Sequence, residues 1–366
     1  MITLGPGEEH GSVDFQLKPV PTFTIAGTVT SADGQVAHLG VRLLPAASAD
    51  VISDNGLDVS TTITESDGKF TFLGVPAGAY ALKILRAPRP VMQEIPAAAP
   101  AGPGLGSAPV MNGGPPQRML PPTDPTLFAD VPVSVADADI TGLSVPLRMG
   151  ARVSGRVEFD GTAPKPALDR VPSPVNVYLN PIGVQYFAGP VVPPAVTASG
   201  QFTTMSMPPA GYIVSGSAPG WTLKSAMIGG RNISELPLDL RDADVGGLVI
   251  TFFDRPAQIS GVVRNSRGEP VDAAIVFILP TNYRALNEAG SLSGRLRQSR
   301  SGTDGKYTAG GLVPGDYLIA ASTDNVLDNT DVAKALDALT SAATRVTVGD
   351  NEKHVQDLSI SAVTIR

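Results

Sequence analysis

Chemistry needs a nucleophile, a base or a metal-ligating cluster, and the candidates for each are few in this chain. Its imidazoles are His10, His38 and His354, far apart in the sequence, with no His-x-Glu or His-x-x-x-His spacing. Cysteine is absent from the 366 residues, which excludes disulfides, thiolate metal sites and a cysteine nucleophile. Zinc chemistry therefore lacks a ligand set, and the three histidines read as surface residues. No Gly-x-Ser-x-Gly elbow occurs, nor a glycine-rich loop leading to Lys-Ser/Thr. The glycines from Gly102 to Gly106 are interrupted by Pro103 and belong to low-complexity sequence. No metal, cofactor or catalytic residue is expected.

The remaining polar residues suggest binding or structure. Asp67 and Asp304 each precede a glycine. A glycosidase needs two carboxylates about 5–10 Å apart in a cleft, whereas one per hairpin tip is a turn arrangement. Asp324, Asn325, Asp328, Asn329, Thr330 and Asp331 offer the hard oxygen donors that calcium prefers, but without EF-hand spacing or its terminal Glu. Helix capping with solvated loop residues accounts for them better, a weak calcium site being the alternative. Arg284, Arg295, Arg297 and Arg300 cluster before the last hairpin, either as a solvated loop or as a basic surface for an acidic polysaccharide or a protein. Trp221 and Tyr283 carry rings that could stack on a sugar, with packing in the core or at its edge as the competing reading. Trp221, Tyr283, Arg295 and Arg297 are thus the candidate ligand contacts.

These residues are embedded in segments that recur in a fixed order. An opening strand reads Ile25-Ala26-Gly27-Thr28-Val29, then Val153-Ser154-Gly155-Arg156-Val157, then Ile259-Ser260-Gly261-Val262-Val263. Apolar residues alternate around a glycine, which predicts one buried face and a bulge or close approach of a neighbouring backbone. A hairpin follows, with Asp67-Gly68 and Asp304-Gly305 at its tip in the outer copies and Ser199-Gly200 in the middle one. Asp bonds the turn backbone and Gly tolerates positive φ. A second turn uses Pro76, Gly78 and Tyr80 in the first copy, and Pro314, Gly315 and Tyr317 in the third. Pro sets φ there, and the tyrosine covers the end of the sheet with its hydroxyl hydrogen-bonded. Closing strands 138–145 and 243–250 match each other, and 345–348 with 355–360 repeat the idea.

The spacing predicts whole domains, not a short-repeat solenoid. Short alternating strands with frequent turns, together with 39 Gly and 34 Pro, predict an all-β fold of tandem antiparallel, Ig-like β-sandwich modules. The modules are expected at 20–149, 150–255 and 256–366, with very short connectors. Residues 87–126 are Pro/Gly/Ala-rich and predict a flexible insertion in the first module. One short helix is expected in the last module, with Val332, Ala335, Leu336 and Leu339 on one face and Asn329, Thr330 or Asp331 as cap. Residues 1–19 resemble closing strands without an opening strand, so the chain is expected to start inside an array and its export signal to lie upstream.

The set Ile-Ser-Gly-x-Val, Asp-Gly-Lys-Tyr-Thr and Leu-Val-Pro-Gly-Asp-Tyr-Leu-Ile in the third module resembles the carboxypeptidase regulatory-like domain. The likeness is good in the first module and degenerate in the second. It implies a seven-stranded transthyretin-like (prealbumin-like) sandwich, also similar to starch-binding-type modules, in secreted, periplasmic or cell-surface proteins. The shared residues form turns and core, so they carry fold better than function. A net charge of −7 argues against a nucleic-acid partner, and no apolar run has membrane-spanning length. The expected role is a non-catalytic binding, adhesion or spacer array, as a monomer, with a polysaccharide or another surface protein as partner. The alternatives are a carbohydrate-binding accessory region of a larger protein, or a hydrolase fragment without its catalytic domain.

Overall fold

Period-two alternation becomes real burial wherever a strand has one face to hide. The computed structural model describes residues 19–46, 60–88, 91–94, 117–120, 124–168, 173–182, 193–288, 292, 295–328 and 332–360. The N-terminal closing segment and the caps Asn329, Thr330 and Asp331 lie outside the described residues. The chain divides into two compact units, one of Met1–Ala49, Gly56–Ile84 and Ala129–Leu147, the other of Asp50–Asn55, Leu85–Phe128 and Arg148–Arg366.

The first unit is built from β1 (Thr22–Thr30), β2 (Gly40–Pro45), β3 (Ser60–Ile63), β4 (Lys69–Pro76) and β5 (Gly78–Arg86). After β6 (Val91–Glu94) and β7 (Gln117–Leu120), β8 (Leu127–Val135) and β9 (Ile140–Pro146) complete it. Sheet order β4-β1-β9 faces order β8-β5-β2-β3, seven strands around a core that includes Ile25, Val41, Leu43, Phe72 and Leu82. Strands β6 and β7 pair antiparallel from Val91–Leu120 to Glu94–Gln117, so the expected flexible insertion contains a regular ladder. The remainder of that insertion, apart from its first and last few residues, lies outside the described residues.

The second unit holds two sandwiches. Its strand β10 (Arg148–Met149) pairs antiparallel with the start of β8. The first sandwich itself uses β11 (Val153–Asp160), β12 (Asn176–Pro181), β13 (Gln201–Thr203), β14 (Ala210–Ser217), β15 (Thr222–Ile228), β16 (Arg231–Asn232), β17 (Leu238–Leu240) and β18 (Val245–Phe253). Sheets β13-β11-β18-β15-β16 and β12-β14-β17 enclose Val153, Phe202, Tyr212, Leu248 and Phe252. The other comprises β19 (Ala257–Arg264), β20 (Ile275–Pro280), α1 (Tyr283–Glu288), β21 (Arg297–Arg300), β22 (Lys306–Leu312) and β23 (Gly315–Ser322). It continues with α2 (Val332–Thr340), β24 (Thr344–Val348), β25 (Lys353–Val355) and β26 (Leu358–Ser359).

Each sandwich pairs its opening strand in parallel with closing strands within an antiparallel frame: β1 with β9, β11 with β18, and β19 with β25 and β26. The closing strand crosses from the opposite sheet, so it re-enters alongside the opening strand in the same direction. At that crossing the opening-strand glycine is required. A Cβ at Gly27, Gly155 or Gly261 would overlap the carbonyl oxygen of Leu143, Leu248 or Gln356 respectively. Register shifts at Ile25/Gly27 and Val153/Gly155 accompany this approach.

The last sandwich differs by a helical layer. Strand β20 is buried along its whole length. Val276 and Ile278 point into the inter-sheet core. Ile275, Phe277 and Leu279 point the other way, into a second core with Leu286 of α1 and Ala335, Leu336 and Leu339 of α2. An unbroken Ile-Val-Phe-Ile-Leu run is what two covered faces demand. Among the described residues two α-helices are present where one helix was expected, because the six-residue α1 is too short to show an apolar period.

Candidate functional site

The polar side chains that recur in all sandwiches are occupied by local backbone. Asp67 Oδ1 accepts the Lys69 N–H at 3.1 Å while its other oxygen pairs with Lys69 Nζ at 2.6 Å. Asp304 does the same with Lys306, at 3.1 Å and 2.7 Å. These lysines hold both carboxyls below their ordinary pKa, the side-chain hydrogen bond being the main cause. In the middle sandwich Thr197 Oγ1 receives the Gln201 N–H at 3.1 Å, doing with a hydroxyl what Asp does elsewhere. The glycines at these tips, Gly68, Gly200 and Gly305, have φ of 84°, 79° and 72°.

Three tyrosines form a second recurring bond. Tyr80, Tyr212 and Tyr317 donate their hydroxyls to the carbonyls of Pro76, Pro208 and Val313, each four residues upstream, at 2.8, 2.8 and 2.7 Å. This is the corner geometry known from other β-sandwiches. A third recurrence involves closing-strand aspartates whose role was not read from the sequence. Asp139 accepts the Thr24 N–H at 2.8 Å, and Asp244 accepts the Arg152 N–H at 2.7 Å. Their matched positions in Ala-Asp-Ile and Ala-Asp-Val were the available signal.

The candidate ligand contacts are placed as follows. Trp221 is 7% exposed, its indole N–H donating to Pro164 O at 3.4 Å and its ring edge-on to Phe159 at 4.9 Å. It belongs to the middle core and offers no face to a sugar. Tyr283 is 6% exposed. Its hydroxyl donates to Asp337 Oδ1 at 2.6 Å and lies 2.8 Å from Thr340 Oγ1, while Arg284 sits over its ring at 5.6 Å. It clamps α1 to α2, and both rings are enclosed, where their apolar area is worth more than in water. Burial pushes the Tyr283 hydroxyl pKa up.

The arginines do not form one solvated loop. Arg284 lies on α1 and pairs with Asp337 at 2.8 Å. Arg295, with a side chain 17% exposed, pairs with Glu235 of the middle sandwich at 3.5 Å. Arg297 starts β21, where burial and then the neighbouring Arg295 push its guanidinium below the usual value. Arg300 ends the same strand.

A cleft of about 550 Å³ beside the helices is lined by Thr281, Asn282, Tyr283, Arg284, Asp337 and Ser341, among others. Its charges are matched, because Asp337 already receives both the Tyr283 hydroxyl and the Arg284 Nε–H. A second, of about 440 Å³, borders β13 and includes Asp124, Arg152, Gln201 and Thr203. Among the described residues, no three His, Asp or Glu side chains group closely enough to hold a metal ion. Asn325 of the oxygen-rich segment accepts the Leu327 N–H at 3.3 Å, a local turn contact. Lys83, a buried amine, is ion-paired with Asp130 at 3.1 Å. His354 faces Glu352 at 3.2 Å.

No protein-family model matches the chain, and a search of curated proteins finds no match. Among solved structures, the Bacillus anthracis TIE protein aligns with 92% of the chain at 9% identity and a TM-score of 0.20. The chain spans about half that protein's length, the alignment covering 50% of it. A streptococcal ancillary pilin aligns over 93% of the chain and 99% of its own length, at 12% identity and a TM-score of 0.23. BcpA, the major pilin subunit of Bacillus cereus, aligns over 93% and 99%, at 10% identity and a TM-score of 0.22. Similarity this low carries no argument about what the chain does. The β-sandwich architecture stands on the strand pairings themselves.

Proposed function

We propose that the chain is a non-catalytic, extracytoplasmic array of three β-sandwich modules, 20–149, 150–255 and 256–366, that spaces and presents binding surfaces. One observation carries the reading. Of the polar groups repeated from module to module, Asp67 and Asp304, Thr197, and the hydroxyls of Tyr80, Tyr212 and Tyr317 each serve a backbone group within a few residues, and Asp139 and Asp244 serve a backbone N–H across the strands. Catalysis needs such groups to converge on a substrate with a base or an oxyanion donor opposite. Here they are distributed one per turn and hold the sandwiches together. The resemblance to carboxypeptidase regulatory-like modules supports the extracytoplasmic setting.

The purified chain is expected to turn over no glycan or peptide substrate. Turnover abolished by one point substitution would overturn the proposal. Affinity electrophoresis on starch is expected to show unaltered migration. Retention there would move support to the carbohydrate-binding alternative.

A further inference from the structure

Sandwiches β11–β18 and β19–β26 are joined by Asp254, Arg255 and Pro256 alone. Three extended residues span at most about 11 Å, and Pro256 biases Arg255 toward an extended conformation. A short tether of this kind would still permit rotation. Charged groups from both sides meet around it.

Arg255 occupies the middle of the tether. Its guanidinium reaches Asp160 at 3.5 Å on one sandwich and Asp350 at 3.8 Å on the other, with Asp254 at 3.7 Å. Its carbonyl accepts the Asn351 N–H at 2.9 Å. Lys224 joins the same cluster through Asp160. Asp254 itself, with a side chain 8% exposed, receives the N–H groups of Thr162 and Ala163, both at 2.7 Å, which fixes where the tether leaves its sandwich. A second attachment involves different elements. Glu235, just before β17, accepts the Asn282 amide at 3.0 Å and faces Arg295 at 3.5 Å.

We propose that these two charged contacts, one centred on Arg255 and one on Glu235, form an electrostatic clasp that locks the last two sandwiches into one rigid segment with a stiffness set by ionic strength. One anchor on a tether leaves an axis of rotation; a second, off that axis, removes it. Each such ion pair is weak taken singly. The tether makes every contact intramolecular, so weak pairs suffice. The same weakness makes the clasp sensitive to salt, since the screening length shrinks from about 10 Å at 0.1 M to about 3 Å at 1 M. This goes beyond the spacer reading, because it holds whether or not any ligand or catalytic activity exists.

The absence of cysteine allows clean double spin labelling. Labels at Arg231→Cys on β16 and Lys353→Cys on β25 report the distance between the sandwiches by pulsed electron resonance on the full chain. A single narrow distribution is expected at low salt. The Glu235→Ala/Arg255→Ala variant should give a distribution about twofold broader, and 1 M NaCl should broaden the parent while changing the variant little. An unchanged width in the variant, with the circular dichroism spectrum of the parent, would overturn the proposal, as would a parent indifferent to salt. Glu235→Gln, which keeps the hydrogen bond from Asn282 but removes the charge, guards against a folding defect: intermediate broadening is expected, and none would count against the clasp.

Discussion

Tyr212 is fully enclosed, and its hydroxyl hydrogen bonds the Pro208 carbonyl. Removing that hydroxyl in Tyr212→Phe leaves a buried acceptor without its donor, which costs about 1–3 kcal/mol. Urea denaturation should show this as a lower midpoint with an unchanged slope. A contrast between two neighbouring glycines tests the strand crossing. Gly155→Ala would drive a methyl into the Leu248 backbone and should destabilise by about 1–3 kcal/mol. Gly246→Ala meets only Ser154 Oγ at 3.5 Å and should be neutral or stabilising by up to about 1 kcal/mol. Equal effects at the two positions would contradict the close approach. Such residues are legible in a sequence because turns and tight crossings tolerate so few residue types. Glu235 and Asp254 were not, since their partners stand 47 to 92 positions away.

At the scale of elements, α2 was readable from Val332, Ala335, Leu336 and Leu339, whose period marks a buried stripe. What lies under it is the outer face of β20 and β23. Leu336→Ala should cost about 2–5 kcal/mol, depending on how far the helix layer collapses into the void. Hydrogen exchange should then speed up in α2, while the inner strands β19 and β22 keep their protection, because the two cores are distinct clusters. Loss of protection in all of these together would mean a single cooperative core. The parallel pairing of opening and closing strands could not be read from alternation, which is the same for either direction.

Across the whole molecule, several carboxylates titrate below their ordinary value of 3.8. Asp160 does so chiefly through Lys224, Asp254 through the Ala163 N–H, Asp316 through Thr347 and Asp337 through the Tyr283 hydroxyl. A carboxylate with a lower pKa folded than unfolded stabilises the fold above the unfolded value and loses that contribution as pH falls through the folded one. Calorimetry at fixed ionic strength should therefore find Tm flat above about pH 5 and falling below about pH 4. A Tm that stays level or rises as pH is lowered below about 4 would contradict these assignments.

By itself the sequence determined strands, turns and sandwich class, because pleat alternation, Asp-Gly tips and Pro-Gly corners are local requirements met by neighbouring residues. Only the tertiary structure decided that Trp221 and Tyr283 face inward, that Arg295 meets Glu235, and that β20 is covered twice. Each of these depends on which distant surface arrives to exclude water, and burial belongs to that pair of surfaces, not to either segment alone.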